Sequence, residues 1–294
     1  MTRSATMPSP LQYQPPYREL WIYYLKGRVG GDPLREDEDF IGNWEEEQDS
    51  FLFFKQPADG RVQALLERQP HLCLQERYEM SYEDWQGGAM APLSAGRLRV
   101  VPPWHPEASN PQENDILLDP GVVFGTGTHP TTYDCLMAMQ QLFAAEPVAD
   151  VLDLGTGTGL LALAAARLGA RRVLAVDLNR LAVRTAQRNV HANRMAHRVL
   201  VAQGNAINFI DLPNDLMVSN IHYDVMRHLV AADGFSRQRQ FVLSGLLRSQ
   251  ARDIEYQLRR QPVEILHRWE HEHTWFTYSG RSTRSRGTEA QEGT

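Results

Sequence analysis

The chain has 294 residues, 42% hydrophobic and 22% charged, with 30 Lys and Arg against 36 Asp and Glu for a net charge of −6. That length allows one large domain or two modest ones with a real core, and the composition excludes wholesale disorder, collagen and coiled coil. The charge deficit lies wholly in residues 1–110, which hold 11 basic and 17 acidic side chains; this speaks against a general nucleic-acid surface there and suits a basic partner, although a solvated acidic loop accounts for the same charges.

Residues 1–16 carry four prolines, and residues 280–294 are small and polar, so both read as disordered tails. Residues 17–100 read as a small α+β domain. It opens with a strand at Glu19–Leu25. An acidic stretch at 32–49 follows, with nine carboxylates and one Arg. A strand at Phe51–Phe54 leads to a helix capped by Asp59 and ended by Pro70, then a strand at Leu72–Tyr78. Residues 101–114 form a Pro-rich linker. From 115 to 279 strands and helices alternate, the mark of a parallel α/β sheet. Strands are expected at Asp150–Leu154, Arg172–Val176, Val199–Val201, Leu216–Asn220 and Phe241–Ser244. Helices are expected at Tyr133–Phe143, Leu160–Leu168, after Asn179 to about Asn193, and at Tyr223–Ala232 and Ser249–Arg260. The strands Val263–Trp269 and His273–Tyr278 are spaced for a closing hairpin.

Two cysteines, Cys73 and Cys135, cannot build a disulfide framework and fit a reducing compartment. There is no 18-residue apolar run and no apolar segment near the N-terminus, so neither a membrane span nor a signal peptide is expected, and the location is expected to be cytoplasmic. Lys26 and Lys55 are the only lysines beside 28 arginines, a bias that GC-rich codons explain without function.

The strongest local signal is VLDLGTGTGLLALAAARLGA, from Val151. A strand runs into Gly155, Gly157 and Gly159 and then into a helix. Glycine lets the backbone turn sharply and approach a ligand. Asp177 ends the next strand, 22 residues after Gly155, where a carboxylate can accept both ribose hydroxyl protons of an adenosine-containing ligand. A dinucleotide fingerprint wants its third glycine where Leu160 stands, and a P-loop wants a Lys that is absent. Asp153, two residues before the first glycine, suits a nearby cation better than a pyrophosphate. These features favour S-adenosyl-L-methionine, and they argue against a nicotinamide oxidoreductase. A tight structural turn and a catalytically silent binding module are the competing readings.

LDPGVVFGTGTHPTT, from Leu118 to Thr132, is a second cluster. Its hydroxyls and bare amides just before a helix form a donor-rich surface suited to a carboxylate. His129 reads either as a base or as a structural residue of the loop. His267, His271 and His273 lack the Cys or carboxylates that would complete a metal site, so no metal is expected.

Together LDPGVVFGTGTHPTT, VLDLGTGTG, AVDLN at Ala175–Asn179, VSNI at Val218–Ile221 and LSGLLRSQ at Leu243–Gln250 resemble the ribosomal protein L11 methyltransferase family. The resemblance implies a class I methyltransferase (Rossmann-like) seven-stranded α/β sheet with helices on both faces, plus a small N-terminal α+β substrate-recognition domain. It implies S-adenosyl-L-methionine as cofactor, with Thr132, Gly155, Gly157, Asp177 and Asn220 at the cofactor site. Asn205 falls where methyltransferases place an acceptor for adenine, and it also reads as a plain loop residue. The implied substrate is a protein, ribosomal protein L11, methylated on lysine side chains and/or its N-terminal amine. The chain is further expected to be a monomer that acts without direct contact to nucleic acid or membrane. The alternative is a methyltransferase of the same fold acting on another protein or a small molecule. The chain departs from the family where the acidic stretch replaces the first helix of a ferredoxin-like unit, and where Trp85, Pro92, Gly96 and Trp104 keep only part of a Trp-rich pattern. Asn220 is the catalytic candidate, an acceptor that orients an amine lone pair. Tyr223 reads either as a wall of the amine channel or as a core residue of its helix.

Overall fold

The computed structural model describes residues 14–284. Of the expected tails, residues 1–13 and 285–294 lie outside the described residues. The described residues divide into two compact units, one of residues 14–92 and 101–113, the other of residues 93–100 and 114–284.

The first unit is a four-stranded antiparallel sheet of β1 (Glu19–Lys26), β2 (Phe40–Glu46), β3 (Asp49–Phe54) and β4 (Cys73–Ser81), in the order β2-β3-β1-β4. One helix, α1 (Asp59–Arg68), covers a face of it. Val62 and Leu65 of α1 pack on Trp21, Tyr23, Leu52 and Phe54. Ala58, not Asp59, is the N-cap of α1; the Asp59 carboxylate instead accepts from Arg77 on β4 at 2.9 Å. The acidic stretch forms no helix. Its C-terminal half is β2, unforeseen because Gly42 and the Glu run hide the alternation, and several of its charges are neutralised locally. Arg61 holds Asp37 at 2.7 Å and Asp39 at 3.3 Å, and Lys26 holds Asp49 at 2.9 Å. A short helix, α2 (Tyr82–Trp85), is capped by Ser81. Trp85 packs edge-on against Phe53, and Tyr82 against Trp104.

Residues 93–100, expected in the small domain, group with the second unit. They form β5 (Leu93–Ala95) and β6 (Leu98–Val101), which join β7 (Asp115–Leu117) in a three-stranded sheet. Gln140 pins the β5–β6 turn by donating to the Ala95 carbonyl at 3.0 Å and accepting from the Arg97 amide at 2.8 Å. Arg99 grips the buried Asp115 bidentately at 2.8 and 2.7 Å.

The large sheet contains β8 (Asp150–Leu154), β9 (Arg172–Asp177), β10 (Val199–Gln203), β11 (Leu216–Asn220), β12 (Gln240–Leu247), β13 (Val263–His271) and β14 (Trp275–Ser282). Their order is β10-β9-β8-β11-β12-β14-β13, parallel except that β14 runs antiparallel to both of its neighbours. β14 pairs as far as Ser282, so strand occupies the first residues of the expected C-terminal tail. The helices are α3 (Pro130–Ala145), α4 (Leu160–Leu168), α5 (Arg180–Ala192), α6 (Tyr223–Ala231) and α7 (Arg248–Leu258). Two apolar cores flank the sheet, as strand alternation requires. Val151, Val173 and Val218 face one, under α3 and α4; Leu152, Leu154 and Met217 face the other, under α6 and α7. Among the described residues no helix is long and apolar enough to cross a membrane.

Candidate functional site

Strand order reverses between β8 and β11, because β8 leads outward to β9 and β10 while β11 leads the other way to β12. The loops leaving the carboxyl ends of two such strands diverge, and the crevice they leave is where open α/β sheets bind ligands. Gly155, Asp177 and Asn220 follow or end β8, β9 and β11 at this crevice, and Asn205 lies two residues beyond β10. The α3 N-terminus brings Thr132 to Asn220.

The loop after β8 carries Gly155, Gly157 and Gly159 at φ +79°, +55° and +84°. A Cβ on Gly157 would lie 2.7 Å from the Phe124 carbonyl oxygen, so this glycine lets two loops touch backbone to backbone. The loops are laced further. The Thr158 hydroxyl donates to the Gly125 carbonyl at 2.7 Å. Asn189, buried on α5, donates to the carbonyls of Thr158 at 2.8 Å and Asp119 at 2.9 Å while accepting from the Asp119 amide. Sequence reasoning missed Asn189, since an Asn inside a helix gives no signal until its partner loop is known.

Asp177 is fixed in orientation. One carboxylate oxygen accepts from the Gly157 amide at 3.0 Å, the other from the Asn179 amide at 2.8 Å. Burial pushes its carboxyl above the ordinary range, and these amide bonds oppose the rise. A carboxylate has about four acceptor positions, so each oxygen keeps capacity for a hydroxyl. Asn205 sits on the same rim, where the Gly204 amide bonds the Asp177 carbonyl at 2.9 Å. Its amide oxygen caps a short 3-10 turn by accepting from Ile207 at 3.1 Å.

Thr131 and Thr132 are buried in the first turn of α3. Asn220 donates from Nδ2 to the Thr131 hydroxyl at 3.3 Å and the Thr132 hydroxyl at 3.2 Å. Ser244 donates to the Thr131 carbonyl at 3.1 Å. A Cβ on Gly245, at φ +85°, would lie 2.9 Å from Asn220 Oδ1. Gly245 is thus a site residue that the LSGLLRSQ motif contained without explaining. His129 is the N-cap of α3: its Nδ1 accepts from the Thr131 amide at 3.4 Å and lies 2.8 Å from the Thr131 hydroxyl. Its ring packs edge-on to Phe124 and Trp275, and burial, then the charge of His271, lowers its pKa. Tyr223 is half-buried and donates to Asp253 at 2.8 Å.

Asp153 does not line the crevice, contrary to its reading as a partner for a ligand cation. Its β8 position turns it to the inner face, where it is fully buried and accepts from the Thr156 hydroxyl at 2.6 Å. Burial pushes its carboxyl up to about 7. Its role is to hold the loop from beneath. Among the described residues no group of three or more His, Cys, Asp or Glu could hold a metal ion.

The donor set fits S-adenosylmethionine. The strand-end carboxylate suits a ribose diol, and residues 151–160 contain no Lys or Arg to hold a pyrophosphate. With its antiparallel β14, the sheet and this crevice define a class I S-adenosylmethionine-dependent methyltransferase. Residues 33–283 match the family model described as ribosomal protein L11 methyltransferase (PrmA), and the chain belongs to that family. A ribosomal protein L11 methyltransferase of Desulfitobacterium hafniense is 36% identical over 224 residues, covering 72% of this chain and 69% of its own length. One from Geobacillus thermodenitrificans is 39% identical over 165 residues, covering 54% and 51%. The chain thus spans between half and about two-thirds of these relatives. The crystal structure of a ribosomal protein L11 methylase from Lactobacillus delbrueckii subsp. bulgaricus superposes with a TM-score of 0.58 at 26% identity, covering 66% of this chain and all of that one.

Proposed function

We propose that the chain methylates amino groups of ribosomal protein L11, on lysine side chains and/or the N-terminal amine, as a cytoplasmic monomer whose first unit, built on the four-stranded sheet β1–β4, recognises the substrate. The names of its relatives support the substrate. One observation carries the chemistry: both threonine hydroxyls at the α3 N-terminus engage Asn220 Nδ2, and Oδ1 makes no hydrogen bond among the described residues. An amide so held presents an oriented acceptor at the crevice.

S-adenosylmethionine supplies an electrophilic methyl group on a sulfonium. In this reading Asp177 holds its ribose, Gly155 and Gly157 shape the loop that receives it, Asn205 meets its adenine, and Thr132 with the α3 N-terminus favours its carboxylate. The nucleophile must be a neutral amine. A free Lys of pKa about 10.4 is only ~0.1% neutral near pH 7.4, so deprotonation costs roughly 4 kcal/mol. A desolvated crevice that also holds a cation lowers that pKa and offsets much of the cost. Asn220 Oδ1 then accepts one amine N–H and turns the lone pair toward the methyl group, a positioning effect rather than proton abstraction.

The test combines labelled S-adenosylmethionine, purified L11 and cell extract. Asn220→Ala should lower turnover about a hundredfold while leaving cofactor affinity within threefold, an interaction loss near 3 kcal/mol. Asp177→Ala should weaken cofactor binding by calorimetry. Turnover of Asn220→Ala within twofold of wild type sinks the orienting role, and label in a band other than L11 overturns the substrate.

A further inference from the structure

The second unit contains a groove that the methyl-transfer site does not use. Two adjoining cavities of about 310 and 280 Å³ lie between α7 and the β13–β14 hairpin, sharing Glu255, Arg268 and Tyr278. No residue of either glycine loop lines them. Val263 and Ile265, half-buried, give a small apolar floor above the fully buried Leu258 and Phe276, and Arg248, Arg252, Arg259 and Arg268 give a cationic rim.

Two structural devices assemble this rim. On α7 and its C-cap, residues 248, 252, 255 and 259 follow helical spacing and share one face. On β13, the register shifts between Ile265 and His267, so that Arg268 lies opposite Tyr278. Without that bulge the two-residue alternation from Ile265 would turn Arg268 to the other face; with it, Val263, Ile265 and Arg268 look the same way. Glu255 and Glu270 oppose the four arginines. Glu255 is held by Arg259 at 2.5 Å and by the Tyr278 hydroxyl at 3.2 Å, and Glu270 by Arg268 at 2.7 Å and by His273. Arg248 and Arg252 are exposed, and the rim keeps a positive excess. The Arg268 guanidinium also stacks 4.8 Å from the Phe276 ring centre.

We propose that this groove binds a phosphate-bearing ligand with a planar base, a nucleotide unit that is either free or part of an RNA strand. Arginine forks match phosphate oxygens, and an apolar floor edged by a guanidinium plane accepts a base. Charge speaks against a nucleic-acid surface only in residues 1–110. Residues 111–294 are indeed neutral in sum, yet the fold gathers four arginines from two elements into one groove.

The test measures fluorescence anisotropy of a labelled twelve-nucleotide single-stranded RNA on the full chain. Saturating S-adenosylhomocysteine keeps the methyl-transfer site from reporting, and ADP and inorganic phosphate serve as competitors. Arg252→Glu and Arg268→Glu should each weaken RNA binding at least tenfold and flatten its salt dependence by about one unit of log–log slope. Arg97→Glu, the same charge change on the β5–β6 turn, should leave binding within twofold. Melting curves verify that the variants fold, and methyl transfer to L11 should stay within twofold in Arg252→Glu. Displacement of RNA by ADP or phosphate at low millimolar concentration assigns the groove to a free nucleotide; RNA binding that resists both assigns it to a chain. Failure of RNA, ADP and phosphate to bind, or equal weakening by all three variants, overturns the proposal.

Discussion

Gly157→Ala tests whether the cofactor loop depends on backbone freedom or on contact between loops. Gly157 sits at φ +55°, inside the narrow left-handed region that other residues enter at about 1–2 kcal/mol. Its added Cβ would lie 2.7 Å from the Phe124 carbonyl oxygen, a backbone atom that no rotamer change can move. Relief requires the 121–128 loop to retreat, which stretches the 2.7 Å bond from the Thr158 hydroxyl to the Gly125 carbonyl. Overpacking of this kind costs about 1–3 kcal/mol, so the whole change should cost about 2–5 kcal/mol. Gly169→Ala is the control. Gly169 closes α4 at φ +117°, farther outside the left-handed region, but nothing lies within 4 Å of its missing Cβ. If strain alone mattered, Gly169→Ala would be the worse variant. The structure predicts the reverse by about 1 kcal/mol or more, together with weaker cofactor binding in Gly157→Ala only. Urea denaturation of both variants and calorimetry with S-adenosylhomocysteine provide the measurements. A Gly169→Ala variant less stable than Gly157→Ala would refute the contact argument.

Asp153 should make stability fall as pH rises. Its folded carboxyl is pushed up to about 7 by burial, against about 3.9 in the unfolded chain. Between these values the folded state binds more protons, so the group's contribution is full below pH ~4 and is lost as pH rises to ~7, by roughly 4 kcal/mol. Asp153→Asn, which keeps an oxygen for Thr156, should match wild type near pH 4.5 and exceed it at pH 8; a difference in unfolding free energy that does not change with pH would contradict this. Arg99→Met leaves the buried Asp115 carboxylate without its bidentate partner and should cost about 3–5 kcal/mol, whereas the double change with Asp115→Asn should recover more than half. Chemical denaturation of the single and double variants measures that coupling.

The order of the parallel α/β elements was legible because each rests on local chemistry. Asp150–Leu154 and Leu216–Asn220 are short apolar runs, Gly169 ends α4 in the left-handed conformation, and Asn179 caps α5 through the Leu181 amide. Gly155, Asp177 and Asn220 were found for the same reason: they follow or end strands whose ends can be read directly. β2 and the β5–β6 pair were not legible, although β2 meets β3 and β5 meets β6 across two-residue turns, because their own alternation is broken by glycine, proline and charge.

What the sequence by itself determined was the parallel sheet, the loop chemistry and the family, because periodicity, glycine spacing and a strand-end carboxylate are local properties. Only the tertiary structure decided what the side chains touch. Asp153 reads along the chain as a cation's neighbour, yet strand alternation buries it beneath the loop. The arginines of α7 and β13 sum to nothing unusual along the sequence. A one-residue bulge and a helical stripe nevertheless turn them toward one groove, because the direction of a side chain depends on register and packing, which no local window contains.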